Sequence, residues 1–420
     1  LEALRASGVE VQSFAADLSD MEQAESVLTR MRAGMPALRG VIHAAGVLDD
    51  GILAQQSAAR IHTTFAPKAA GAWNLHCLTD GLPLDFFVWA AVRDGRPPFR
   101  AAFCDALRAD GLAAQDGVGC DRGLWRRSNE PMPDGNRVVP PADPQQLEVV
   151  LVTGAFSECV GAATRPFAAG AERLESVGAR VRTIVVSGRS GTDHNARQIA
   201  DSIAAQPLAQ DRKVILVGYS KGGLDILRFL VDFPGLAAGV DAVVAVATPV
   251  FGTPLADLAQ PAYSALVAKV PYEECPPGDG QVIASLQPAV ATQWLVGNPL
   301  PSGVRYYSLA AFTTREHVAR SLVPLWRHLG ATEVRNDGQV VVSDAVIPGS
   351  TLLALVNADH WGVAQQIELV HPVLAARRDP APFPLEQLFA TIVAFVADDL
   401  SRAGRDIAGA HEDEVGEGAR

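Results

Sequence analysis

The chain has 420 residues, 48% of them hydrophobic, and a net charge of −12, so it is long enough for two domains or one large one with a sizeable core. Its basic residues form no basic run, and with the net charge of −12 this argues against a nucleic-acid-binding surface. No apolar run approaches the ~18 residues of a membrane span, and Leu1 to Arg5 lack the layout of a signal peptide, so a cytoplasmic protein is expected. The five cysteines, Cys77, Cys104, Cys120, Cys159 and Cys275, are far apart with no Cys-x-x-Cys pair, and they read as reduced thiols without a metal.

In chain order, Val9 to Ala15 alternates like a strand, Met21 to Met31 has helical spacing, and Gly40 to His43 and Asp85 to Ala90 are short apolar strands. Strands alternating with helices predict a parallel sheet. Three stretches, Ala15-Ala16-Asp17-Leu18-Ser19-Asp20, Val41 to Gly51 and Ala66 to His76, closely resemble the ketoreductase domain of modular polyketide synthases, a Rossmann-like fold, over residues 1–92. The resemblance implies that Asp17 lies near the adenine of a nicotinamide dinucleotide, that Ala44, Ala45 and Gly46 line it, and that Lys68 joins the catalytic set. A solvated helix-face lysine is the plainer account of Lys68. The family's Gly-rich phosphate turn is not in this sequence, and its catalytic tyrosine has no counterpart, because the first tyrosine is Tyr219. Without a helix N-terminus for the pyrophosphate or a proton donor for the carbonyl, this segment is expected to be vestigial and the protein to use no cofactor.

Residues 93–146 are rich in Gly, Pro, Asp and Arg and read as a linker or irregular lead-in, with one possible helix from Arg100 to Asp110. A second α/β series follows over residues 147–400. Its strands are expected at Leu147 to Thr153, Val181 to Ser187, Lys213 to Tyr219, Asp241 to Ala247, Val304 to Ala310 and Thr351 to Val356, with helices at Asn195 to Ile203 and Leu385 to Leu400. In its middle, the apolar run Lys213-Val214-Ile215-Leu216-Val217 ends in Gly218-Tyr219-Ser220-Lys221-Gly222 and opens onto an amphipathic helix. This Gly-x-Ser-x-Gly in strand–turn–helix context is a nucleophile elbow, where only small neighbours allow the strained turn that exposes the serine.

The pattern, together with Val246-Ala247-Thr248-Pro249-Val250-Phe251-Gly252-Thr253-Pro254-Leu255-Ala256-Asp257 after the elbow, resembles the α/β-hydrolase fold of bacterial lipases and esterases. A serine hydroxyl needs a histidine to take its proton and a carboxylate to orient that histidine, in the chain order Ser, acid, His. His360, directly after a strand, stands where the family puts its base; His371 is the runner-up, and His317, His328 and His411 are less well placed. Asn336-Asp337-Gly338-Gln339-Val340 resembles the lipase loop that carries the acid, so Asp337 is chosen over Asp344 and Asp359. Oxyanion donors are expected from the N–H of Lys221 and from Ala155 or Phe156 after the first strand, with the Lys221 side chain read as solvent-facing. Residues 253–301 are long for a connection and read as a cap, and residues 401–420 as a disordered acidic tail. The expected function is serine hydrolysis of a carboxylic ester or thioester, a small-molecule acyl substrate, in a polyketide context and with no nucleic-acid partner. A NADPH-dependent ketoreductase fragment and a scaffold with a decayed triad are the competing readings.

Overall fold

A computed structural model of the chain describes residues 12–43, 70–79, 82, 86–89, 92–112, 123–126, 130, 137–141, 143–160, 165–262, 276–366, 372–377 and 383–417. The chain divides into two compact units, Leu1–Ala91 and Val92–Arg420.

In the first unit, the Asp20 carboxylate caps the helix Met21–Gly34 by accepting the N–H groups of Glu22 and Gln23, as an N-terminal Asp does when the first turn has unpaired donors. Strand β1 (Gly40–His43) pairs in parallel with β2 (Phe86–Trp89). Of the expected first strand, residues 12–15 are not in strand conformation and residues 9–11 lie outside the described residues, as do Ala44, Ala45, Gly46 and Lys68.

The second unit is built on a seven-stranded sheet of β3 (Arg93–Asp94), β4 (Leu147–Val152), β5 (Arg180–Ile184), β6 (Lys213–Tyr219), β7 (Ala242–Val246), β8 (Arg305–Ala311) and β9 (Thr351–Val356). The strands lie in the order β3-β9-β8-β7-β6-β4-β5, and every neighbouring pair is parallel. Parallel strands with helices on both faces are buried on both faces, which is why the central strands β4, β6 and β7 are almost continuously apolar and buried rather than alternating. Val149, Leu151, Ile215 and Val217 join Phe99, Phe103 and Phe389 on one face. Val150, Val152, Val214 and Leu216 join Ile199, Ile226 and Phe229 on the other. The strand order reverses between β4 and β6: β5 is laid outward from β4, and β6 returns to its other side. A crevice at the carboxyl ends of the strands opens at such a switch point, and the turns after β4 and β6 carry Ala155 and Ser220.

Three expectations are corrected here. Residues 93–146 are not simply an irregular lead-in: Arg93–Asp94 pairs with Thr351 and Leu352 at the sheet edge, and Arg96–Ala109 is a helix burying Phe99 and Phe103. Further on, the buried Arg100 guanidinium donates to Glu130 at 2.6 Å and to the Leu124 carbonyl at 3.0 Å. That anchor lets the Trp125 N–H donate to the Leu355 carbonyl at 2.8 Å and the Asn357 N–H to the Gly123 carbonyl at 2.9 Å, bracing the chain just before His360. The Gly and Pro content concealed this role because the contacts are made across the fold, not along the sequence. The acidic tail is the second correction: the closing helix runs on through Leu385–Glu417. Of the expected cap, Pro254–Ala262 and Pro288–Gly297 are helices, and residues 263–275 lie outside the described residues.

The third correction concerns the thiols. Cys104 and Cys159 are disulfide-bonded, Cys77 is not in a disulfide, and Cys120 and Cys275 lie outside the described residues. Wide sequence spacing carried no information about which cysteines the fold brings together. Removing a disulfide costs ~2–4 kcal/mol, so Cys104→Ser is expected to lower the melting temperature by about 5–10 °C. Thermal unfolding with and without reductant checks this; a wild-type melting temperature indifferent to reductant would restore the reduced-thiol reading.

Candidate active site

Ser220 lies between β6 and the helix Lys221–Asp232 with φ 54° and ψ −131°. A non-glycine residue keeps such a conformation only when its surroundings over-determine it. Here they do: a Cβ on Gly218 would lie 2.4 Å from the Gly223 Cα, and one on Gly222 would lie 2.5 Å from the carbonyl oxygens of Val152 and Thr153. The helix therefore starts in direct backbone contact with β4 and with its own strand. The Ser220 N–H donates to the Val246 carbonyl at 2.9 Å, tying the turn to β7 as well.

The residues expected as acid and base, Asp337 and His360, arrive from the segments after β8 and β9. Asp337 sits in the β8–β9 connection, in a loop closed by a bridge between Asn336 and Val341 and turned at Gly338, whose φ is 96°. The Asn336 side chain holds the loop from inside, donating to the Trp326 and Glu333 carbonyls and accepting the Gly338 N–H. Oxygen Oδ1 of Asp337 accepts the N–H groups of Gln339 and Val340 at 2.8 and 2.7 Å. That leaves Oδ2 facing Nδ1 of His360 at 2.7 Å. Nε2 of the same ring is 2.9 Å from the Ser220 Oγ. His360 is also held by its main chain: its N–H donates to the Asp337 carbonyl at 2.8 Å, and its carbonyl accepts the Tyr219 hydroxyl at 2.7 Å. Asp337 and His360 are 1% and 2% exposed, so water does not compete for these bonds. An ionised Asp337 places the ring proton on Nδ1 and leaves the Nε2 lone pair to accept the serine proton.

The rival residues are engaged elsewhere. The buried Asp359 carboxylate accepts the Ala319 N–H at 2.6 Å and the Gly362 N–H at 2.7 Å and pairs with Arg377 at 2.9 Å, so it shapes the loop that presents His360. Asp344 lies in a 3-10 turn, where burial pushes its carboxyl up to about 7. His317 lies in the β8–β9 connection before the helix Val323–Gly330 and His328 within that helix; His411 falls in the closing helix, and His371 lies outside the described residues.

The N–H groups expected as oxyanion donors stand at the switch point. At the start of its helix, the Lys221 N–H has no acceptor among the described residues, as first-turn donors do. On the β4 side, the Phe156 N–H donates to the Gly188 carbonyl at 3.0 Å, so of the two candidates Ala155 has the N–H that is available. The Lys221 side chain departs from expectation: it is fully buried, and its ammonium lies 2.6 Å from the Asp225 carboxylate one turn on. Asn195, on the helix Thr192–Ala205, donates to the other Asp225 oxygen at 2.8 Å and to the Ser187 carbonyl at 3.1 Å. Burial pushes the Asp225 carboxyl up to about 6 against the pull of Lys221, and it pulls the Lys221 ammonium down. Tyr219, Asp225 and Asn195 escaped the sequence reading; only the (i, i+4) spacing of Lys221 and Asp225 signalled a pair.

Among the described residues no cluster of three or more His, Cys, Asp or Glu could hold a metal ion. In the first unit, Asp17 is exposed, and its carboxylate accepts the N–H and hydroxyl of Ser19 at 2.9 and 2.6 Å, bonds that lower its pKa. These hold its own turn.

A parallel α/β sheet with this order, a serine on the turn after β6 and helices on both faces make the second unit an α/β-hydrolase. Residues 1–92 match the KR domain family. The metagenomic carboxyl esterase MGS0156 is 34% identical and superposes with a TM-score of 0.68 over 74% of this chain and 94% of its own. Two curated relatives are polyketide synthases: Pks15/1 of Mycobacterium marinum, a phenolphthiocerol synthesis enzyme, 38% identical over 30% of this chain, and GfsA of Streptomyces halstedii, 39% identical over 28%. This chain spans 6% and 2% of their lengths.

Asp337→Asn is expected to lower kcat by ~10⁴ through the wrong imidazole tautomer while leaving KM nearly unchanged. Asp344→Asn is expected to leave kcat intact and to change the pH dependence of stability instead. A carboxyl whose pKa is raised from 3.8 to about 7 on folding binds more protons in the folded state, so the wild type loses stability as pH rises from about 4 to 7. The Asn variant lacks this loss and should be the more stable of the two at pH 8. Urea unfolding across pH and steady-state kinetics on both variants separate the roles; an inactive Asp344→Asn would move the acid to that position.

Proposed function

We propose that this chain is a serine hydrolase that cleaves a carboxylic ester or thioester through an acyl-enzyme, with Ser220 as nucleophile, His360 as general base and Asp337 as the acid that orients it. The observation that carries this reading is the unbroken contact from the Asp337 Oδ2 through the His360 ring to the Ser220 Oγ, with steps of 2.7 and 2.9 Å. In the first half-reaction the Ser220 Oγ bonds to the acyl carbon as its proton passes to His360 Nε2. The carbonyl oxygen takes the negative charge and accepts from the Lys221 and Ala155 N–H groups. The C–O or C–S bond then breaks, and His360 returns the proton to the leaving alkoxide or thiolate. A water attacks the acyl-enzyme by the same route, releasing the acid and regenerating the serine. Such donors and such a base together account for many orders of magnitude in rate.

An apolar acyl group fits this site best. Leu224, Ala256, Val282 and Leu286 cluster with Ala155 and Phe156 beside the oxyanion turn, with Ala256 coming from the helix Pro254–Ala262 and Leu286 from the 3-10 turn Ala284–Leu286 on the cap side of that wall. Thioesters are kept beside esters because curated relatives of the chain are polyketide synthases, and the serine chemistry above cleaves a C–S bond by the same steps as a C–O bond. No helix among the described residues is long and apolar enough to cross a membrane. A cytoplasmic setting is the less favoured one, since two disulfide-bonded cysteines suit an oxidising compartment.

A fluorophosphonate probe should label the wild type at Ser220 and leave Ser220→Ala unlabelled. The same variant should lose more than 95% of p-nitrophenyl butyrate hydrolysis, an order-of-magnitude expectation of about 10⁶ for the chemical step, while its melting temperature stays put. Retained hydrolysis or labelling at another residue would overturn the reading.

A further inference from the structure

Both walls of the oxyanion site are tied to one buried polar strut. On one side, the Lys221 side chain turns inward from the residue whose N–H is a donor, and its ammonium meets the Asp225 carboxylate at 2.6 Å, both groups 0% exposed. Asp225 is held in turn by Asn195, whose side-chain N–H₂ also grips the Ser187 carbonyl at 3.1 Å. The next carbonyl in that loop, Gly188, accepts the Phe156 N–H at 3.0 Å, and the Gly188 N–H donates to Glu158 at 2.9 Å. Phe156 follows Ala155 directly and has a φ of 59°, so the orientation of the Ala155 peptide is set where the strut ends.

We propose that Lys221, Asp225 and Asn195 are positioning residues that hold the two oxyanion donors, the N–H groups of Lys221 and Ala155, in mutual register across the β4–β6 crevice; the proposal rests on the hydrolase reading above. The physical argument is one of cost and geometry. A buried ion pair adds little or nothing to stability compared with apolar side chains of the same size, because the desolvation of both charges cancels much of their attraction. What a buried pair does supply is directionality: a charged pair with directed hydrogen bonds, here Lys221 to Asp225 and Asn195 to Asp225 and Ser187, has fewer low-energy arrangements than an apolar contact, which tolerates slippage. Oxyanion donors depend steeply on such placement, since the benefit is realised only when both N–H groups point at the developing charge. The strut crosses three segments, the helices Lys221–Asp232 and Thr192–Ala205 and the loop after β5, so that no one of them shifts alone. Ser220 and His360 are untouched by it: their mutual contact and the Asp337 bond run on the opposite side through β8 and β9.

The test is a charge-free replacement, Lys221→Met with Asp225→Leu, which keeps the volume and removes the strut without orphaning a charge. On p-nitrophenyl butyrate, kcat is expected to fall about 10- to 100-fold, less than the loss of a whole donor, with KM within about twofold and the melting temperature equal or higher. Inhibition by phenylboronic acid, which forms a tetrahedral adduct on the serine, should weaken by the same factor as kcat, while fluorophosphonate labelling still occurs at Ser220. Asn195→Ala, a smaller change, is the second variant and should move kcat and boronate affinity together in the same direction. Variants that fold with kcat and boronate affinity within twofold of wild type overturn the strut and leave the hydrolase reading standing. A wild type that neither hydrolyses the ester nor takes the probe overturns both.

Discussion

The left-handed backbone at Ser220 is the constraint from which the rest of the site follows. Holding φ near 54° in a residue with a side chain is unfavourable by ~1–3 kcal/mol, and the protein meets that cost through contacts that leave no alternative. Backbone from β4 and from the first turn of the helix closes on Gly218 and Gly222 so tightly that a methyl group at either would collide with main-chain atoms. The strain lifts the hydroxyl out of the sheet and points the first helical N–H groups at the space beside it. The Ser220 hydroxyl and the Lys221 N–H are thus placed by one turn, and neither could be moved without the other.

Parallel strand order then determines which other residues can reach that hydroxyl. Loops that leave the carboxyl ends of neighbouring strands share one edge of the sheet, so the β8–β9 connection brings Asp337 and the end of β9 brings His360 to the side of Ser220, although the first lies 117 positions away in sequence and the second 140. Rigidity is added from outside the triad. Residues 123–125 run against the end of β9, Asp359 gathers the N–H groups around the His360 loop, and Tyr219 holds the His360 carbonyl. Each of these groups is buried or half-buried, where a hydrogen bond not made is costly, so the base has one place to sit.

The two units differ in family and in content. Residues 1–92 match the KR domain family, yet the one described cofactor candidate, Asp17, spends its carboxylate on its own turn. The second unit has its own sheet, its own two-sided core and the contact chain from Asp337 through His360 to Ser220. Disulfide-bonded cysteines in that unit separate it further from the thiol chemistry read from the spacing alone.

The chain's local chemistry pointed to the α/β class, most of the strands of the second unit, the strained turn at Ser220 and the Asp337 and His360 that the fold brings into contact with it. Each of these leaves a local mark: an apolar run of strand length, glycines two residues either side of a serine, an Asn-Asp-Gly turn, a histidine just past a strand. Tertiary structure alone decided the remainder. Lys221 looks like a solvated helix-start lysine until the helix is laid against Thr192–Ala205 and its ammonium finds Asp225 inside. Phe156 and Ala155 are equivalent by position, and only the Gly188 carbonyl, brought alongside from the next strand, takes the N–H of one and leaves the other. The Gly- and Pro-rich stretch after residue 92 hides an edge strand and a brace because its partners, Leu352, Leu355 and Asn357, are more than two hundred residues away, and contacts at that range have no signature in local composition.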